Sequence, residues 1–180
     1  MLKQAEKISK SGFKPDVIVG ISRGGWIPAR ILSDLLENSN LANVKVECYK
    51  GINEAGKKAT LTQCLSADVS GKRVLVVDEV ADSGRSLKLV TQHIQEQGAS
   101  QIKTAALYYK RDSAFTPDYY EEETYCWVVF PWEIKETVRS IYTKHKNRPA
   151  RLEDGIAKLK TAGIPNWLTN RFVKELSRDK

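Results

Sequence analysis

Val74–Leu87 reads VLVVDEVADSGRSL, and the rest of the chain is best understood outward from it. Arg73–Asp78 is a continuous, β-branched run, the pattern of a strand buried on both faces. Leu87, Val90 and Ile94 then recur at helical spacing, and Gly98 ends that helix. Between strand and helix lie Asp78, Glu79 and Asp82, followed by Ser83, Gly84, Arg85 and Ser86. A strand-to-helix turn uses Asp, Ser and Gly to cap a helix. Three acids, two hydroxyls and a glycine exceed what a cap requires. Acids at a strand end suit the hydroxyls of a sugar and a divalent cation. The backbone N–H groups of Ser83–Ser86 aim the positive end of a helix at a phosphate.

Other segments repeat the same alternation. Asp16–Ile21 (DVIVGI) is a second buried strand, broken by Gly24-Gly25. Ile27, Ile31, Leu32 and Leu35 continue as a helix, with Pro28 tolerated in its first turn. Leu2–Lys10 reads as a short helix, and Val44–Tyr49, Ile102–Tyr109 and Tyr125–Phe130 as strands. Gly51–Leu61 is polar and without period, so a mobile loop is expected there. This order predicts an α/β fold: a mostly parallel twisted sheet flanked by helices. Ligands gather at the carboxyl ends of such strands. Beyond Pro131-Trp132 the pattern becomes helical. Ile134–Tyr142, then Leu152, Ile156 and Leu159, then Leu168, Phe172, Val173 and Leu176 mark three amphipathic stretches. A core over residues 1–133 and a helical C-terminal extension over 134–180 are therefore expected. The extension would pack on the core or at an oligomer interface.

The 180 residues suit one main domain. No apolar run approaches the ~20 residues of a membrane span, so no membrane association is expected. The opening MLKQAEKISK lacks an apolar signal core, so secretion is not expected either. Cys48, Cys64 and Cys126 are far apart, odd in number and without metal spacing. They suggest buried thiols in a reducing cytoplasm. The net charge of +7 is compatible with nucleic acid or with polyanionic small molecules. Most cations are interspersed with acids, apart from an enrichment between Lys135 and Arg151. A solvated face is the expectation for most of them.

Two further motifs belong with the first. Val19–Ala29 (VGISRGGWIPA) is strand, then Ser22-Arg23-Gly24-Gly25, then helix. It sets backbone N–H groups and one guanidinium at a strand end, and arginine suits bidentate diphosphate recognition. Taken alone it is an ordinary glycine turn. Trp127–Glu133 (WVVFPWE) is an apolar segment with an aromatic end, and a purine needs a flat apolar face with hydrogen bonds along its edge. Neither a G-x-x-x-x-G-K-[ST] loop nor a G-x-G-x-x-G turn occurs.

DEVADSGRS resembles the signature of the type I phosphoribosyltransferases: apolar strand, two acids, two small or apolar residues, Asp, Ser/Thr, Gly, any residue, Ser/Thr. The acid pair is Asp-Glu here, where the family has Asp-Asp or Glu-Asp. SRGG followed by an apolar pair and Pro is similar to the diphosphate loop of the xanthine–guanine members, and WVVFPWE to their W-x-x-x-P-W-[DE] segment. The resemblance covers about residues 15–133 and leaves the tail uncovered. It implies the family fold with a small hood, and transfer of the 5-phosphoribosyl group from 5-phosphoribosyl 1-diphosphate to N9 of a 6-oxopurine.

By residue it implies the following roles. Asp82 is the general acid/base and joins Ser83, Gly84, Arg85 and Ser86 around the 5-phosphate. Asp78 and Glu79 hold ribose hydroxyls and Mg2+. Ser22, Arg23 and Gly24 hold the diphosphate, and the Ser22–Arg23 peptide can be cis in that family. Lys110 meets the purine 6-oxygen, Trp127 stacks on the base, Val128 reads its edge, and Trp132 and Glu133 shape the pocket. The family closes a loop over the diphosphate; here it falls in Tyr49–Gln63, with Lys50, Lys57 and Lys58 as candidates and solvated lysines as the equal alternative. A homodimer or tetramer is implied, and nucleic acid is not expected as a partner. Alternatives are a regulator with this fold that binds the donor and nucleic acid without catalysis, an adenine or pyrimidine phosphoribosyltransferase, and a nucleotide-sugar hydrolase.

Overall fold

The β-branched runs form strands where their pattern places them. In the computed structural model, which describes residues 1–50 and 57–178, Val17–Ser22 (β1) and Arg73–Ala81 (β4) pair in parallel at the centre of a sheet. Leu41–Lys50 (β2) flanks β1, and Gln101–Tyr109 (β5) flanks β4, both in parallel. Lys57–Gln63 (β3) and Tyr119–Glu123 (β6) are the two edges, so the order is β3-β2-β1-β4-β5-β6. Only the β2–β3 pairing is antiparallel among these.

The pleat sends alternate residues to opposite faces. Val17, Val19 and Ile21 of β1 join Val74 and Val76 on one face, covered by Leu87, Val90 and Ile94 of helix Arg85–Glu96 (α3). Ile18 joins Leu75, Val77 and Ala105 on the other, covered by Leu2–Lys10 (α1) and Trp26–Leu35 (α2) through Ile8, Ala29 and Leu32. Truncating Leu75 or Leu32 to Ala would cost about 2–5 kcal/mol, since each is fully buried.

The amino ends of the strands are fastened by side chains. Asp16 accepts a two-pronged bond from the Arg73 guanidinium, at 2.7 and 3.0 Å, and a third from the Arg73 backbone N–H at 2.8 Å. Those bonds hold the Asp16 carboxyl at about 2. Asp118 takes Lys103 Nζ on one oxygen and the backbone N–H and hydroxyl of Thr104 on the other. Burial alone would raise the Asp118 pKa, but those hydrogen bonds outweigh it and lower it.

Three expectations need correction. Residues 51–56 of the expected mobile loop lie outside the described residues, but Lys57–Leu61 belong to β3. Ala59 and Leu61 alternate there with Thr60 and Thr62, and backbone pairing to β2 makes the segment a strand despite its polarity. Tyr125–Phe130 is irregular, and the edge strand is the more acidic Tyr119–Glu123. The open edge of β5 selects that strand by backbone pairing, overriding its weak β-propensity. Cys64 and Cys126 are free but exposed, because each lies in the irregular chain just after an edge strand.

The chain divides into two compact units, Met1–Cys126 and Trp127–Lys180. The second contains Ile134–His145 (α4), Pro149–Thr161 (α5) and Asn166–Arg178 (α6). Val138, Ile156 and Leu159 form its core, with Val129, Ile134 and Phe172 against them. Val129 thus draws the WVVFPWE segment into the helical unit, ahead of the boundary at residue 133 read from the sequence. Among the described residues no helix is long and apolar enough to cross a membrane.

Candidate active site

β1 and β4 lie side by side where the strand order reverses, and each runs at its carboxyl end through a glycine turn into a helix. Open α/β sheets bind ligands in that crevice. The turn after β1 is Ser22-Arg23-Gly24-Gly25, and its Ser22–Arg23 peptide is cis. Ser22 Oγ accepts a bond from Asn43 Nδ2 on β2 at 3.1 Å. Gly25 must be glycine because a Cβ would lie 2.6 Å from the Val77 carbonyl oxygen of β4.

The turn after β1 touches the end of β4. A Cβ on Gly24 would sit 2.1 Å from the Glu79 carboxylate, so bare backbone is what lets the turn approach that strand end. Asp78 is nearly buried, and its Oδ1 accepts the Glu79 backbone N–H at 3.0 Å. Glu79 Oε2 is buried and has no hydrogen-bond partner among the described residues. An unsatisfied buried carboxylate oxygen is costly, so its presence asks for a ligand or a function.

The capping account of DSGRS fails. α3 starts on Gly84, whose φ is +72°, and no side chain caps it. The first-turn N–H groups of any helix have no acceptor within the helix itself. The turn is held from outside. Ala114 N–H donates to the Ser83 carbonyl at 3.1 Å, and a Cβ on Gly84 would meet Ser113 Oγ at 2.5 Å. Sequence reasoning missed this brace, whose only signal is the Asp-Ser turn pair in Arg111–Phe115.

Asp82 and Lys110 meet just past the ends of β4 and β5. The parallel register pairs Ala81 with Tyr109, so the next residues are neighbours. Lys110 N–H donates to the Ala81 carbonyl at 3.1 Å, and Lys110 Nζ lies 2.6 Å from Asp82 Oδ1. The Asp82 side chain remains 59% exposed, so it can still reach a ligand.

Trp127, Val128, Trp132 and Glu133 all belong to the second unit. Phe130 and Trp132 stack at 5.0 Å. Glu133 closes the turn: its Oε1 accepts the Phe130 N–H, and its own N–H donates to the Phe130 carbonyl, both at 3.1 Å. Trp127 is 75% exposed, leaving indole surface available for stacking.

The phosphoribosyl transferase domain matches residues 3–138, a span that takes in all three motifs. The chain belongs to the phosphoribosyltransferase family. It is similar to hypoxanthine-guanine phosphoribosyltransferase of Schizosaccharomyces pombe, at 27% identity over 84% of this chain and 90% of that one. Xanthine phosphoribosyltransferase 1 of Saccharomyces cerevisiae is 28% identical, over 92% of this chain and 72% of its own length. Among solved structures, the purine phosphoribosyltransferase of Pyrococcus horikoshii shares 41% identity and a TM-score of 0.65, over 72% of this phosphoribosyltransferase and 84% of that one.

Proposed function

We propose that this chain is a 6-oxopurine phosphoribosyltransferase of purine salvage. It moves the 5-phosphoribosyl group of 5-phosphoribosyl 1-diphosphate onto N9 of guanine, hypoxanthine or xanthine, and diphosphate leaves. The observation that carries this reading is the Lys110–Asp82 pair at the carboxyl edge of the sheet, beside the uncapped start of α3. A 6-oxopurine presents two neighbouring acceptors, O6 and N7, on one edge. The Lys110 ammonium donates to O6, which adenine replaces with an amino donor. Asp82 holds or returns a proton at N7 as the base becomes bonded through N9. The similar proteins named for hypoxanthine, guanine and xanthine support the same substrate class.

The donor is held from three sides. Ser83, Gly84, Arg85 and Ser86 bind the 5-phosphate through backbone N–H groups and hydroxyls. Asp78 and Glu79 accept hydrogen bonds from ribose hydroxyls. Ser22, Arg23 and Gly24 bind the diphosphate, with the guanidinium opposite its charge. Trp127 stacks on the base, the Val128 backbone reads its edge, and Trp132 and Glu133 shape the pocket. Catalysis is then chiefly positioning and charge stabilisation of an oxocarbenium-like centre.

Mg2+ fits this donor set. The orphaned Glu79 oxygen and the neighbouring Asp78 carboxylate are hard oxygen ligands. Among the described residues no group of three or more His, Cys, Asp or Glu converges. A metal held by two carboxylates takes its remaining oxygens from substrate and water, as Mg2+ commonly does. When bound it neutralises charge on the departing diphosphate. A homodimer or tetramer in the cytoplasm completes the proposal.

The test is incubation of the protein with donor, Mg2+ and each nucleobase separately, following monophosphate formation. Product with guanine, hypoxanthine or xanthine is expected. Product with adenine or a pyrimidine alone, or with no base, overturns the proposal. Trp127→Ala should raise the purine KM about 5- to 150-fold at unchanged donor KM, because a base–aromatic stack is worth about 1–3 kcal/mol.

A further inference from the structure

The net charge of the chain is concentrated in its last quarter. Residues 1–133 carry 17 Lys and Arg against 17 Asp and Glu, whereas residues 134–180 carry 12 against 5. The surplus gathers where α4 ends and α5 begins. From Thr137 to Leu152 there is no acid, while Arg139, Lys144, Lys146, Arg148 and Arg151 fall within that span. All five are exposed. Among the described residues no carboxylate lies within ion-pair distance of any of them.

A solvated helix face is built differently. On other surface helices of this chain the cations are interleaved with acids one turn away: Lys10 with Glu6, Arg30 with Asp34, Arg171 with Glu175; further along α5 itself Lys158 pairs with Asp154 in the same way. Around the α4–α5 turn five exposed cations follow one another from Arg139 to Arg151 with no acid between them in the chain. Arg148 is the N-cap of α5 and Arg151 lies in its first turn, where the helix dipole adds further positive potential and no acid offsets it. A bound polyanion relieves this arrangement.

We infer that the α4–α5 turn is a docking surface for the phosphate backbone of nucleic acid. Two features favour nucleic acid over an anionic membrane. The apolar side of these helices is already used inside the unit, through Val138, Ile156 and Leu159. The exposed residues between the cations are Ser140, Thr143, Asn147, Pro149 and Ala150, which offer hydroxyls and an amide for phosphate and sugar contacts but no aromatic or long aliphatic side chain to enter lipid. A continuous phosphate backbone also matches five cations of one sign, where a folded acidic protein surface would present mixed charge. No base-reading element accompanies the patch, so binding is independent of sequence.

The test uses the full chain and fluorescein-labelled 20-base-pair duplexes of arbitrary sequence, DNA and RNA, followed by anisotropy at 50 and 200 mM NaCl. Engaging three to five phosphates gives a roughly 40- to 500-fold loss of affinity between those salts. Lys144→Gln/Lys146→Gln/Arg148→Gln should weaken binding at least tenfold and flatten the salt dependence, with purine turnover and circular dichroism unchanged. Lys3→Gln/Lys14→Gln/Lys88→Gln, which removes the same charge elsewhere, should retain most of the affinity. Absence of binding at 50 mM salt overturns the inference. So does equal loss in both triple variants, or equally tight retention of phosphatidylserine vesicles or polyglutamate.

Discussion

Asp16 and Asp118, at the amino ends of the strands, have both carboxylate oxygens engaged, by Arg73 and by Lys103 and Thr104 respectively. Glu79 and Asp82, at the carboxyl ends, are arranged otherwise. One Glu79 oxygen is buried without a partner, and Asp82 is paired with Lys110 yet more than half exposed. One sheet thus uses the same kind of residue in two ways. At the amino edge carboxylates tie strands together and their hydrogen-bonding capacity is filled by the protein. At the carboxyl edge that capacity is left for something that arrives. Unsatisfied capacity costs stability and is kept where function needs it.

Four substitutions test this contrast. Asp82→Asn keeps the shape but cannot take a proton, so turnover should fall about 10²- to 10⁴-fold. Steady-state kinetics should show the donor KM nearly unchanged; unaffected turnover removes Asp82 from catalysis. Glu79→Gln comes next. It should lower kcat/KM for the donor about tenfold or more, yet leave the melting temperature equal or higher, since the buried Glu79 Oε2 has no hydrogen bond to lose. A clear drop in melting temperature would erase the distinction between the edges.

Asp118→Asn is the mirror case. Losing a charge-assisted bond to Lys103 should cost about 1–2 kcal/mol of stability in a denaturant titration, without change in kinetics. Asp16→Asn should have the smallest effect, because its ion pair is solvent-accessible. Its folded pKa, about 2, lies below the ordinary 3.8. The Asp16 contribution is therefore full above pH ~3.8 and fades as pH falls through ~2. Thermal melts of wild type and variant should differ at pH 7 and converge near pH 2.

Much of the molecule was legible in the sequence for a physical reason. A parallel sheet buries central strands on both faces, so DVIVGI and VLVV announce themselves by composition alone. Local motifs also carry their own geometry: glycines at 24 and 25 stand where a Cβ would collide with β4, and the glycine at 84 where it would collide with Ser113 and Phe115. Edge strands were not legible. KKATLTQ and YYEEE become strands because neighbours offer unpaired backbone, which no local pattern records. The brace at Ser113–Phe115 was invisible for the same reason: its partners, Ser83 and Gly84, are distant in sequence.

The sequence by itself determined the central strands, the helices that cover them and the glycine turns between them, because burial and turn chemistry are written locally. Tertiary structure alone decided which groups meet. Strand order placed β1 beside β4, and the β4–β5 register set Lys110 against Asp82. It also decided which carboxylates are satisfied, since hydrogen-bond capacity is filled or left open by partners distant in the chain. The α4–α5 turn follows the same division. Its cations can be counted in the sequence, but only the fold shows each of them exposed with no carboxylate within ion-pair distance among the described residues.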